Sequence, residues 1–246
     1  MGIVQHSKFH QFKSAIASLE EVNERTLKSQ TFLIEKDEKR GIEIYYAPFD
    51  YINKHAKVVI VGITPGFYQM KQAYEAVRAA SREKSDEEIL QDVKKRASLS
   101  GPLRKNLTTM LDELHLHKYF KIQSTNELFG EANGLVHTVS VLSYPVFYKG
   151  KNYNGTTPDI LRTDLLKYYI ITQFAQEIMN IEKPLIIPLG INVSRVLFSL
   201  AEDGYLDKEH IVSGFPHPSG GNGHRHKQFA QNKEAMKRQL YEHFIK

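Results

Sequence analysis

Apolar residues in this chain follow two rhythms. The run Val58-Val59-Ile60-Val61 carries β-formers without a polar interruption, which predicts a central strand covered on both faces, as in a parallel sheet. Apolar stretches at 135–142, 183–190 and 211–212 predict three further core strands. Elsewhere the spacing is helical. Phe9, Phe12, Ile16, Leu19, Val22 and Leu27 predict one amphipathic helix over 7–29. Helices are also expected over 70–82, over 86–97, from Pro102 through Leu114, over 163–181 with Thr163 as N-cap, over 193–201 and over 227–245. Residues 31–35 and 42–47 flank a charged turn and predict a hairpin or two short extended pieces. Strand and helix alternate with short connections, so the expected fold is α/β, a three-layer α/β/α sandwich around a small four-stranded parallel sheet. One domain is expected over 1–246, with 1–56 as an N-terminal cap of helix and hairpin and 57–246 as the core.

Composition narrows the chemistry. The chain has 246 residues, 41% of them hydrophobic, enough for one sizeable core. A net charge of +5 suits a polyanionic partner. With no cysteine, structural disulfides, a thiol nucleophile and a cysteine-held iron–sulfur cluster are excluded. No apolar run approaches the ~18 residues that cross a bilayer, and the first residues lack a signal peptide's apolar core. A monomeric, intracellular, cytoplasmic protein with no membrane segment and no metal is therefore expected.

Two loops at strand ends carry the candidate chemistry. The first, Gly62-Ile63-Thr64-Pro65-Gly66-Phe67, follows the strand at 58–61; its glycines let a ligand approach the backbone and Pro65 fixes the turn. The second, Phe215-Pro216-His217-Pro218-Ser219-Gly220-Gly221-Asn222-Gly223-His224, follows the short strand at 211–212. Together GITPG and HPSGGN resemble the paired motifs of the uracil-DNA glycosylase superfamily, G-x-[DN]-P-[YG] and [HN]-P-S-[PG]-x-[NS]. Order, strand context and separation match from about residue 57 onward. The missing cysteines point to a branch without the iron–sulfur cluster, similar to the mismatch-specific or single-strand-selective enzymes.

The resemblance implies cleavage of the bond between deoxyribose C1′ and a pyrimidine in DNA, by water and without a cofactor. Backbone N–H groups of the first loop and the His217 side chain would donate to the base oxygen as it gains charge; the alternative for His217 is a histidine that only braces its loop. Thr64 departs from the family, standing where a carboxylate or amide positions the water. A hydroxyl can orient water but cannot be its base at neutral pH, which leaves a slow enzyme, a water held by Asn154 or Asp159, or a binder without chemistry. Gly66 stands where strict uracil enzymes carry a tyrosine, so pyrimidines substituted at C5 should be admitted. Phe67 is expected either to stack on the base or to pack in the core. Ser143, with Ser140 as runner-up, would read the base edge. Arg104 and Lys105 are read as phosphate contacts or as a solvated turn. Ser219 with Gly220, Gly221 and Gly223 would meet phosphates, Asn222 the opposite strand, and His224, Arg225 and His226 the gap left by the extruded base.

Overall fold

The computed structural model describes residues 2–245, which form a mixed α/β protein with several sheets. They divide into two compact units, each assembled from separated stretches of chain. One holds the residues up to Ile52 together with Ile63–Ser98 and Ser140–Glu177; the other holds Asn53–Gly62, Leu99–Val139 and the chain from Ile178 onward.

In the first unit β1 (Gly2–Ile3) pairs with β4 (Tyr51–Ile52), and a second sheet runs β2-β3-β7-β8, from Leu33–Asp37, Ile42–Tyr45, Val146–Tyr148 and Lys151–Asn152. The β2–β3 hairpin is the expected one, with Asp37 opposite Ile42. Its pairing onto β7 was not visible in the periodicity, because three residues cannot show a period and their partners lie about a hundred positions away. The expected helix over 7–29 is two helices, α1 (Phe9–Ala17) and α2 (Glu24–Leu27). The break is chemical: the Asn23 side chain accepts the Thr26 N–H at 3.0 Å and starts a new helix. α4 (Asp86–Ala97) has the predicted span, whereas α3 (Phe67–Arg78) starts before and ends before the expected 70–82, and Ser85 caps α4 in a reciprocal box with Glu88. The helical stretch after residue 163 comprises α7 (Asp164–Tyr169), a π-type segment (Ile170–Ala175) and α8 (Gln176–Met179). Thr163 does not cap it; its hydroxyl donates to Asp159 O instead. Phe12 stacks on Tyr46, and Phe32 meets Tyr74 edge-on, within this unit's core.

The second unit is built on a three-stranded sheet in the order β6-β5-β9, from Val136–Ser140, Val58–Gly62 and Leu185–Pro188. β5 and β9 run parallel, Val58 beside Leu185 through Val61 beside Pro188. The expected fourth strand is reduced to a single parallel bridge, Ile186 to Ile211, with Val212 N–H donating to Ile186 O at 2.9 Å. Proline and histidine arrive too soon after it for a longer ladder. Around this sheet pack α5 (Pro102–Glu113), α6 (Leu116–Phe120), α9 (Ile191–Glu202) and α10 (Arg225–Ile245). Val58, Ile60, Leu107, Leu111, Ile187 and Phe215 are among the residues of one apolar cluster from which water is excluded. Among the described residues no helix is long and apolar enough to cross a membrane.

Candidate functional site

The carboxyl edge of the parallel sheet gathers three chain turns in the second unit. β5 ends at Gly62; β9 ends one residue before Leu189 N–H donates to Val61 O at 2.8 Å; and the second-motif loop begins at Phe215, whose carbonyl accepts from Gly190 N–H at 3.2 Å. Ligands of open α/β sheets bind at this edge.

Gly190 is the residue the sequence reading missed. Its φ is +94°, a region side chains avoid, and a Cβ there would lie 2.9 Å from His217 Cβ and 3.4 Å from His217 N. The β9–α9 turn therefore presses directly against the proposed catalytic histidine, and only glycine permits the approach. The signal was present as a third apolar strand ending in glycine.

His217 is held so that its chemistry is defined. Its Nδ1 lies 3.2 Å from Ser219 N, which donates to it, so Nδ1 carries no proton and the neutral ring has its N–H at Nε2. Burial pushes the imidazole pKa below its usual 6.5, which favours the neutral form. The ring is thus a neutral hydrogen-bond donor. Both flanking carbonyls are fixed by amides: Asn222 Nδ2 donates to His217 O at 3.2 Å, and Asn106 Nδ2, from α5, donates to Pro218 O at 2.8 Å.

Several roles assigned to this loop change accordingly. Asn222 does not face outward toward an opposite strand; its amide also reaches Gln228 Oε1 at 3.0 Å, and its Oδ1 accepts from His224 N–H. Arg225 starts α10 and donates to Ser219 O at 2.7 Å, with its other terminal nitrogen 3.1 Å from His226 Nε2. These polar side chains brace the loop. Gly220, Gly221, Gly223 and His224 are exposed, and Ser219 is half-buried. Arg104 is not a free phosphate contact: it lies over the Phe129 ring at 4.7 Å, and burial lowers its pKa. Lys105 beside it is exposed.

Residues 63–67 belong to the first unit, where the loop is also braced. Thr64 Oγ1 donates to Tyr144 O at 2.8 Å and accepts from Val146 N–H at 2.9 Å. A hydroxyl has one proton, so this one is spent tying the loop to the approach to β7, and orienting a water by donation is closed to it. Gly66 N–H donates to Gln69 Oε1 and Phe67 N–H to Asn152 Oδ1, each at 3.0 Å. Two backbone donors expected to face a base oxygen are thereby occupied. Gly66 does not border open space either, since the Asn152 amide stands 3.6 to 3.9 Å from where its Cβ would be. Asn152, two residues before the expected Asn154, is the amide that meets this loop. Asn154 and Asp159 turn back on their own chain, accepting from Thr156 N–H and from Leu161 and Arg162 N–H respectively. Pro65 is buried; Ile63 and Phe67 are half-buried, with Lys28 Nζ 5.9 Å from the Phe67 ring. Ser143 Oγ is buried with no hydrogen-bond partner among the described residues.

A protein of Bacillus subtilis (strain 168), the uncharacterized protein YoxB, is 43% identical over 217 residues, covering 87% of this chain and 84% of that protein. No family model matches the chain, and no solved structure matches it significantly.

Proposed function

From the premise that the chain belongs to the family of YoxB, we propose that it is a monofunctional DNA glycosylase that hydrolyses the N-glycosidic bond of uracil or a C5-modified pyrimidine and leaves an abasic site. The observation that carries this reading is the His217 ring, neutral and fixed by Ser219 N–H so that Nε2–H is the free donor. As the C1′–N1 bond breaks, its electron pair passes to the base and collects on the base's carbonyl oxygen; a donor aimed there lowers the barrier by roughly 3 kcal/mol. Water attacks C1′ and loses a proton, and the departing base takes one up. In the first unit, the Ser143 hydroxyl and the Phe67 ring are the groups that the resemblance assigns to the base edge and to stacking, and the Gly66 and Phe67 N–H groups are engaged by side chains.

With the Thr64 hydroxyl tied to Tyr144 O and Val146 N–H, and with Asn154 and Asp159 accepting from backbone N–H groups of their own loop, the enzyme in this reading relies on leaving-group stabilisation. The reading carries with it the three-layer α/β/α arrangement and the fourth parallel strand at 211–212, action on DNA as a monomer without cofactor or metal, and a place in base excision repair or in defence against phage DNA. The engaged Thr64 hydroxyl favours one rival, a nucleic-acid-binding protein that kept the base pocket and not the chemistry. Oligonucleotides carrying uracil, 5-hydroxymethyluracil or glucosylated cytosine, treated with the protein and then with alkali, separate the two. Strand breaks at one of these bases support the glycosylase; tight binding with no breaks at any of them supports the rival.

A further inference from the structure

We propose that Ile191, the first residue of α9, is the wedge that occupies the base stack when a nucleotide is drawn out of duplex DNA. This rests on the glycosylase reading and names the part that opens the duplex. Extrusion costs a few kcal/mol of unstacking, and proteins that distort DNA offset it by inserting an apolar side chain between bases. The glycine-rich loop that was expected to supply the probe has no apolar side chain between Ser219 and Lys227, and its Arg225 and Asn222 are engaged in bracing.

On the same sheet edge, in the same unit, one side chain fits. Ile191 is 75% exposed, more than any other large apolar side chain left open among the described residues. It directly follows Gly190, whose backbone abuts His217, so one Cα step of about 3.8 Å separates it from the residue that touches the imidazole. It is presented on the first turn of a twelve-residue helix, and its β-branch limits rotation about χ1. A stiff apolar side chain on a rigid element, held in water beside a neutral histidine, is what a stack-filling residue requires.

The chain contains no tryptophan, so Ile191→Trp installs a lone fluorophore at the point in question. Titrated with a duplex bearing a tetrahydrofuran abasic analogue, its emission should be quenched as the indole stacks in the gap. Titration with the matching single strand should leave the emission near that of the free protein. In parallel, Ile191→Ala should slow base release from a paired duplex at least tenfold more than from a single strand, with unchanged thermal unfolding. Emission that stays constant while anisotropy shows the duplex bound, or an Ile191→Ala defect equal on both substrates, would overturn the wedge. Quenching by the duplex without base release from any substrate would instead remove the glycosylase reading and leave the wedge as a DNA-binding contact.

Discussion

Replacing Gly190 by alanine should disable the site from a position that touches no substrate. Two costs add. The backbone at φ +94° costs a side chain roughly 1–2 kcal/mol. The new Cβ, 2.9 Å from His217 Cβ, must retreat by at least 0.5 Å to reach the 3.4 Å where ordinary contact begins, and overpacking of this kind costs about 1–3 kcal/mol. Neither neighbour is the tip of a flexible side chain, so the loop itself must move. For a protein of this size the sum corresponds to a fall in Tm on the order of 10 °C. Since a misplacement of about 1 Å can cost 10²-fold in rate, half that shift at His217 should slow single-turnover base release by roughly tenfold. Gly204→Ala is the control: its φ is +81° with nothing within 4 Å, so it carries the backbone strain without the collision. Thermal unfolding and single-turnover kinetics on the two variants decide the matter. If Gly190→Ala matched Gly204→Ala in both Tm and rate, the proposed pressure of the β9–α9 turn on His217 would be refuted.

Thr64→Val should lose about 2 kcal/mol, two hydrogen bonds of about 1 kcal/mol each, while Thr64→Ser keeps them, and the rate per folded molecule should hold in both; a collapse in rate with stability intact would return Thr64 to the chemistry. Asn152→Ala should free the Phe67 N–H and clear the space beside Gly66, raising kcat/KM for bulky C5 substituents relative to uracil, and an unchanged ratio across substrates would show that the amide does not shape the pocket. Asp50 is buried, and loss of water pushes its carboxyl up to about 6 despite hydrogen bonds from Tyr46, Lys8 N–H and Ser7 and the nearby charge of Lys94. Its folded pKa exceeds its ordinary 3.8, so the folded protein holds the proton more tightly and the cost of the charged form is present above about 6. That cost, at most about 3 kcal/mol, fades as pH falls from 6 toward 4. Urea unfolding at pH 7.5 and 4.5 should show wild type gaining on Asp50→Asn as the solution is acidified; a gain on alkalinisation would contradict the assignment.

The parts legible in the sequence are those where one physical signal dominates. The unbroken apolar run at 58–61 read as a covered strand, and it is one; the helical spacing over 86–97 read as a helix, and α4 has those bounds. His217 and its loop were singled out because the motif resembles a known pairing. The helix over 7–29 was misread because Leu19 and Val22 keep the apolar spacing while Asn23 and Thr26 satisfy each other's backbone and restart the helix, a hydrogen-bond effect that periodicity does not register. The second sheet was hidden because β7 and β8 have three and two residues, and β7 pairs with β3, far upstream. Asn152 and Asn154 could not be told apart in the sequence, since residues two apart share a strand face and nothing marked where the two-residue β8 ends, which leaves Asn154 in the turn that follows. Gly190 looked like any strand-ending glycine until its distance to His217 was known.

Single-turnover base release from a uracil- or 5-hydroxymethyluracil-bearing oligonucleotide, by the wild-type protein and by His217→Ala, tests the central claim most directly. The account expects wild type to leave alkali-labile sites and the variant, equally folded, to do so roughly 10²–10³-fold more slowly. Equal rates from the two proteins would contradict the role given to the imidazole, and no release by wild type from any pyrimidine tested would contradict the activity itself.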